Sequence, residues 1–242
     1  MILHSIKISE AIILSGGFGT RLREVINDIP KPMAPINNIP FLEYLVRYLK
    51  HFGTRKIVFS TGHLSHKISD YFGGEFEGVS IAYSHEESPL GTGGGIRLAL
   101  EKCEDKEVLV MNGDSFFDID LHNYYHLHQL SGSSCSLAVR KVEDASRYGT
   151  IQLKEDGKII SFNEKNGKNE VGLINAGVYI INRELYLNNT LARLNFSIEK
   201  DFYEKLASHF NIFGFEMQGY FIDIGIPEDY NKAQHDFKGF KY

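Results

Sequence analysis

The chain has 242 residues, a formal net charge of −5, 43% hydrophobic and 24% charged residues, a composition that suits a globular domain with a substantial core. The acidic balance argues against nucleic acid or an acidic membrane surface as a general partner, because both select basic faces. Two cysteines, Cys103 and Cys135, have neither the density of a disulfide framework nor metal-ligand spacing, so they are expected as core fillers in a reducing compartment.

In chain order, the N-terminal MILHSIKISEAIIL alternates polar and apolar residues and lacks the continuous apolar stretch of a secretory signal. No segment has the unbroken apolar length of a membrane span, and the expected location is the cytoplasm. Ala11–Leu14 predicts a strand that ends at a glycine cluster. Pro40 opens a helix carrying Phe41, Leu42, Leu45, Leu49 and Phe52 on one stripe, which Gly53 ends. Lys56–Ser60 predicts the next strand, Leu64–Phe72 a short helix, Val79–Tyr83 a strand, then a glycine-rich turn and a helix over Ile96–Lys102. Glu107–Met111 reads as a buried strand and Leu121–Leu130 as a helix. This alternation predicts a mostly parallel, doubly wound sheet. Beyond about Ser134 the texture changes to strands at Ser136–Val142, Gly149–Leu153, Ile159–Phe162 and Leu173–Ile181, with Glu155–Lys158 as a hairpin turn. A helix over Ile198–His209, strands at Asn211–Glu216 and Tyr220–Ile222, and a final helix over Pro227–Phe237 complete the chain. No linker, low-complexity tract or repeat interrupts it.

Two segments carry chemistry. Ser15–Arg23 reads SGGFGTRLR. Glycines directly after a strand let the backbone approach a ligand and present its N–H groups, which suits phosphate; a tight strand-to-helix turn explains the glycines equally well. A P-loop fits poorly because no Lys-Ser/Thr pair follows, and a dinucleotide fingerprint, which would imply an NAD-dependent enzyme, is disfavoured by Leu22 where a third glycine is needed. Arg21 inside the loop tips the balance toward catalysis. In Pro30-Lys31-Pro32 the flanking prolines push Lys31 toward an extended conformation, a rigidity useful for reaching a fixed phosphate. By itself the triad also reads as a solvated lysine in a stiff loop.

Together, GGFGTRL followed by PKPM resembles the signature of the sugar-1-phosphate nucleotidyltransferase family. The resemblance implies a Rossmann-like α/β fold: a doubly wound, mixed, mostly parallel sheet flanked by helices, in a single domain over 1–242. A nucleotide-binding part is expected at about 1–134 and a sugar-phosphate-binding part at about 135–242. It further implies that Leu14, Ser15, Gly16, Gly17, Gly19 and Thr20 wrap a nucleoside triphosphate while Arg21 and Lys31 contact its phosphates.

Ser88–Gly95 (SPLGTGGG) resembles the family segment that packs on base and ribose, implicating Gly91 and Thr92; close helix packing is the alternative. Asn112-Gly113-Asp114 ends a strand, where ligands of open α/β sheets lie, and a carboxylate there can hold Mg²⁺; a helix cap is the alternative for Asp114. Asp223 closes a second strand and is similar to the family's second metal-binding aspartate. On the sugar side the resemblance implicates Gly149 of Arg147-Tyr148-Gly149, Glu164 for sugar hydroxyls, Lys165 for the sugar phosphate, and Asn175 and Gly177. Asn166 stands where the family usually shows proline. His122, His126 and His128 share a helix without a metal motif and are expected to be solvated.

The implied reaction needs no enzyme nucleophile: a sugar 1-phosphate attacks the α-phosphorus of the triphosphate and pyrophosphate leaves. Within the family, Phe196–Phe202 and Phe221–Tyr230 resemble guanylyltransferases acting on a manno-heptose 1-phosphate for surface polysaccharides, with the mannose 1-phosphate enzymes next; GTP is the favoured donor. A uridylyl- or thymidylyltransferase on a hexose 1-phosphate, and an inactive regulatory subunit of the same fold, stay open, as does a homo-oligomer.

Overall fold

A computed structural model describes residues 8–17, 28–163, 170–190, 195–206 and 209–242. The first strand, β1 (Glu10–Ser15), shows why the sheet is a central layer: Ala11 and Ile13 join one hydrophobic cluster and Ile12 the other, all fully buried. A strand buried on both faces needs helices on both sides. Each such isoleucine contributes about 1.5–3 kcal/mol of burial free energy. β1 lies between β4 (Lys56–Thr61) and β7 (Glu107–Asn112), parallel to both, and β4 is parallel to β6 (Val79–His85). Before β4 come a 3₁₀ turn at Lys31–Met33 and a small hairpin of β2 (Pro35–Ile36) and β3 (Ile39–Pro40). β5 (Glu75–Phe76) closes the edge antiparallel to β6.

Helices α1 (Phe41–His51), α2 (Ser65–Phe72), α4 (Leu121–Ser131) and α7 (Pro227–Asp236) cover one face, and α3 (Gly91–Leu100) and α5 (Arg183–Asn189) the other. After β8 (Ser115–Phe117) and α4, the chain lays down β9 (Cys135–Val142), β10 (Thr150–Leu153), β11 (Ile159–Asn163) and β12 (Gly172–Asn182). β12 pairs antiparallel with β7, extending the parallel front half into a mixed sheet, and also with β9 and β10. A π-helical turn (Ile198–Tyr203) runs into α6 (Glu204–Leu206); β13 (Ile212–Glu216) then pairs with β9, and β14 (Phe221–Asp223) with β8. The expected single α/β domain with a mixed, centrally parallel sheet is what forms. No helix among the described residues is long and apolar enough to cross a membrane.

Several elements depart from the local sequence pattern. The helix expected from Ile96 begins at Gly91, so the glycines lie inside it. Glycine is required there despite its weak helix propensity, because a Cβ on Gly93 would meet the Phe196 ring at 2.2 Å and one on Gly95 would meet Glu86 Oε1 at 2.7 Å. Lys31 opens a 3₁₀ turn rather than an extended segment, closed by Met33 N–H to Pro30 O at 2.8 Å and Ala34 N–H to Lys31 O at 3.0 Å. Pro32 is tolerated there because early turn positions need no N–H. His128 is buried rather than solvated, with Nδ1 3.0 Å from Ser136 Oγ and Nε2 3.5 Å from Glu107, whereas His122 and His126 are exposed. Helix α5 and strand β8 carry too few apolar repeats to be legible in the sequence. Both cysteines are buried, and burial pushes each thiol up to about 12, which makes them poor nucleophiles and fits the core-filler reading.

Candidate active site

A cleft of about 400 Å³ opens beyond the carboxyl ends of the parallel strands. β1 contributes Leu14 and the following Gly16 and Gly17, β4 contributes Ser60, and β7 contributes Asn112 with Asp114 just beyond it. Lys31, Pro32, Glu86, Pro89, Gly91, Thr92 and Gly225 complete the wall. Of the residues expected to bind nucleotide, Leu14, Gly16, Gly17, Gly91, Thr92 and Asn112 therefore converge. Ser15 does not line the cleft: it is buried, and its Oγ donates to Ile13 O at 3.5 Å. Gly19, Thr20 and Arg21 lie outside the described residues.

Lys31 is 8% exposed, which rules out the solvated-lysine reading. Its Nζ lies 2.7 Å from Asp114 Oδ2 and 3.4 Å from Asp223 Oδ1. An ammonium taken this far out of water needs such partners, since an unpaired buried charge costs several kcal/mol. The two aspartates meet through a ladder: Asp223 on β14 stands opposite Ser115 on β8, and Ile224 N–H donates to Asp114 O at 3.0 Å. Gly225 donates its N–H to Asp223 Oδ1 at 2.7 Å, and a Cβ there would meet Lys31 Nζ at 2.7 Å. A larger residue would have to displace the ends of the Lys31 and Asp223 side chains. Asp114 serves no helix cap; Asp120 does that for α4.

Two carboxylates converging on one cation form a hard-oxygen donor set that suits Mg²⁺ when substrate phosphates complete the shell. No group of three or more His, Cys, Asp or Glu side chains among the described residues could hold a metal by itself.

The second glycine segment is held against residues 195–198. Gly91 has φ +70, and a Cβ on it would lie 2.6 Å from Phe196 O. Glu86 sits between the two glycine-rich segments: its Oε1 accepts from Ser60 Oγ at 3.1 Å and its Oε2 from Leu90 N–H at 3.0 Å. A Cβ on Gly16 would lie 3.0 Å from Glu86 Oε1. Neither Glu86 nor Ser60 stood out in the sequence; the signal available was only that Ser60 lies near the end of β4 and Glu86 directly follows β6 in a parallel sheet.

On the expected sugar side, Gly149 packs against the end of β11, where a Cβ would meet Asn163 O at 2.9 Å. Asn175 Oδ1 accepts from Gly177 N–H at 3.0 Å. Gly177 has φ +74 and packs on Asn112, whose Nδ2 a Cβ would meet at 2.6 Å. Asn175 and Gly177 thus reach the cleft through Asn112 rather than lining it. Glu164 and Lys165 lie outside the described residues.

The family model for nucleotidyl transferases matches residues 10–238. The chain belongs to the nucleotidyl transferase family. This nucleotidyl transferase is 44% identical over 229 residues to the D-glycero-alpha-D-manno-heptose 1-phosphate guanylyltransferase of Aneurinibacillus thermoaerophilus, covering 95% of this chain and 98% of the relative. It is 45% identical over 224 residues to the enzyme of the same name from Campylobacter jejuni, covering 91% and 96%. Mannose-1-phosphate guanylyltransferase catalytic subunit beta of Danio rerio is more distant, at 34% identity over 91% of this chain and 62% of its own. The crystal structure of HddC from Yersinia pseudotuberculosis superposes with TM-score 0.83 at 34% identity, covering 95% of this transferase and 99% of HddC, and its complex with GMP-PN with TM-score 0.82.

Proposed function

We propose that this nucleotidyl transferase moves GMP from GTP to D-glycero-alpha-D-manno-heptose 1-phosphate and releases pyrophosphate. The observation that supports the transfer chemistry is the Lys31 ammonium held between Asp114 and Asp223 on the wall of a glycine-lined cleft. The choice of GTP and of heptose rests on the two guanylyltransferases that match nearly end to end.

A sugar 1-phosphate oxygen attacks the α-phosphorus in line, the bond to the bridging β-phosphate oxygen breaks, and pyrophosphate departs. Bringing two polyanions together makes positioning and charge neutralisation the main tasks. Leu14, Gly16, Gly17, Gly19 and Thr20 wrap the triphosphate, with Ser15 supporting them from behind; Arg21 and Lys31 neutralise its phosphates and the departing pyrophosphate. Gly91 and Thr92 pack on base and ribose, next to Asn112. Mg²⁺ held by Asp114 and Asp223 would supply charge neutralisation and polarisation of phosphate oxygens. Gly149, Glu164, Asn175 and Gly177 form the sugar side, and Lys165 holds the attacking phosphate. The front part to about 134 thus serves the nucleotide and the remainder the sugar phosphate. Glu86 supplies a physical reason for guanine: a carboxylate at the cleft accepts from adjacent N–H donors, and guanine presents N1–H and N2–H₂ on one edge. Both substrates are membrane-impermeant polyanions, in keeping with a cytoplasmic enzyme.

Incubating the protein with each nucleoside triphosphate against heptose, mannose and glucose 1-phosphates, with Mg²⁺, and measuring pyrophosphate tests this reading. The highest kcat/KM is expected for GTP with the heptose 1-phosphate. A preference for UTP or dTTP with glucose 1-phosphate would establish the uridylyl- or thymidylyltransferase instead, and no pyrophosphate from any pair would establish the inactive subunit.

A further inference from the structure

The carboxylate of Glu199 joins two segments that lie far apart in the sequence, the start of α3 and β12. It lies on the π-helical turn, a conformation that is rare and concentrated at functional sites. Its Oε2 accepts from Ser197 Oγ at 2.7 Å and from Thr92 Oγ1 at 3.3 Å. Its Oε1 accepts from Asn175 Nδ2 and from Tyr179 Oη, both at 3.4 Å. Thr92 lines the cleft on the nucleotide side, whereas Asn175 belongs to β12 on the sugar side.

Both partners are themselves built into their segments. Thr92 Oγ1 accepts from Ile198 N–H at 3.0 Å while Gly93 N–H donates to Phe196 O at 2.9 Å, so the first turn of α3 and the π turn are laced backbone to side chain. Asn175 sits where β12 slips register against β9, an irregularity lying between Asn175 and Tyr179. Gly177, in that irregularity, presses on Asn112 of the cleft wall. Bulges of this kind re-aim side chains beside active sites. A continuous path of contacts therefore runs from Thr92 through Glu199 and Asn175 to Gly177 and Asn112, crossing behind the cleft.

We propose that Glu199 is a positioning residue that locks the glycine-rich nucleotide segment to the β12 bulge, so that ordering of one side by its substrate prepares the other. It lines no part of the cleft and contributes through Thr92 and Asn175. Three of its four contacts are 3.3–3.4 Å long, so small movements of either segment tighten or release them. Coupling follows from the shared acceptor: a nucleotide that immobilises Thr92 also immobilises Glu199, and Asn175 then loses less freedom when the sugar phosphate arrives.

The substrate half of this proposal rests on the transferase reading above; the structural half does not, and the test separates them. Glu199→Gln keeps the shape but only one acceptor oxygen, and Glu199→Asp keeps the charge on a shorter arm. In the ligand-free full-length protein, amide exchange in Glu199→Gln should rise about tenfold in both the first turn of α3 and the Asn175–Gly177 segment, with β1 and β4 unchanged. Unaltered exchange in either segment overturns the lock, whatever the substrates are. In turnover with GTP and the heptose 1-phosphate, KM for the sugar phosphate should rise about tenfold with kcat changed less than about threefold, and Glu199→Asp should recover part of the loss. An unchanged KM, or a loss of thermal stability and of kcat together that Glu199→Asp does not relieve, overturns the coupling. Absence of turnover in the wild-type protein defeats the transferase reading alone, because the exchange measurement still decides the lock.

Discussion

Lys31 and Asp114 meet at 2.7 Å although neither belongs to a strand or α-helix that packs on the other's. The contact exists because a 3₁₀ turn after the glycine loop and the turn beyond β7 face the same cleft, and Asp223 joins them at 3.4 Å from the same ammonium. Asp223→Asn removes one negative charge from this cluster and leaves a near-isosteric side chain. Mg²⁺-dependent pyrophosphate release should fall about 100-fold or more with the thermal midpoint little changed. An unaltered Mg²⁺ titration would overturn the proposal that Asp223 holds a metal ion.

Arg21→Ala should lower turnover more than about tenfold with folding retained, because the guanidinium is assigned to the triphosphate rather than to the core. Circular dichroism and the pyrophosphate assay together check this. Near-wild-type turnover would end that assignment.

Gly91→Ala adds a Cβ at φ +70 and 2.6 Å from Phe196 O. Positive φ alone costs a non-glycine residue about 1–2 kcal/mol, and the clash adds to it. Lower thermal stability should accompany a GTP affinity weakened about tenfold, measured by unfolding scans and calorimetry. A variant as stable and as tightly binding as wild type would mean that this segment neither packs nor binds as described.

Glu86→Gln preserves the volume and one acceptor but sets an amide N–H₂ toward donors of guanine. The kcat/KM advantage of GTP over UTP should shrink about 10–100-fold, mostly through GTP. Equal losses for both nucleotides would make Glu86 a structural residue only.

Glu10, buried at the start of β1, predicts the acid limb of stability. Burial pushes its carboxyl up, but bonds from the Asp105 N–H, Lys56 Nζ and the Glu104 N–H outweigh burial, and the net direction is below its ordinary value of 4.5. A carboxylate depressed in the folded state stabilises fully above its unfolded pKa, and that contribution is lost as pH falls through the folded value. Glu107 is likewise lowered: burial raises it, and His128 and Tyr125 bring it down. Thermal midpoints should therefore drop below about pH 4.5. Glu10→Gln should lie below wild type at pH 7 and approach it in acid. A constant gap between the two across the range would exclude the ionised carboxylate as the cause.

Local patterning made most elements legible. Ile12 and Ile13 point to opposite cores because strand side chains alternate, and Pro40 and Gly53 bracket α1 through their restricted and permissive φ. Where local rules lost, a distant partner won. Positions 93 and 95 keep glycine inside a helix because Phe196 and Glu86 occupy the space a Cβ would need. His128 is buried because Ser136, on β9, meets it.

The family was legible through GGFGTRL and PKPM, as were the places of Asp114 just beyond β7 and of Asp223 at the end of β14, since motif and periodicity are properties of neighbours along the chain. Tertiary structure alone decided that these aspartates share one ammonium, that Glu86 faces the cleft between two glycine segments, and that Glu199 touches both Thr92 and Asn175. Those relations depend on the pairing of β8 with β14 and on residues 195–198 folding over α3, contacts that span many tens of residues. Such contacts form only when burial of the two cores brings the segments together, and no local periodicity encodes them.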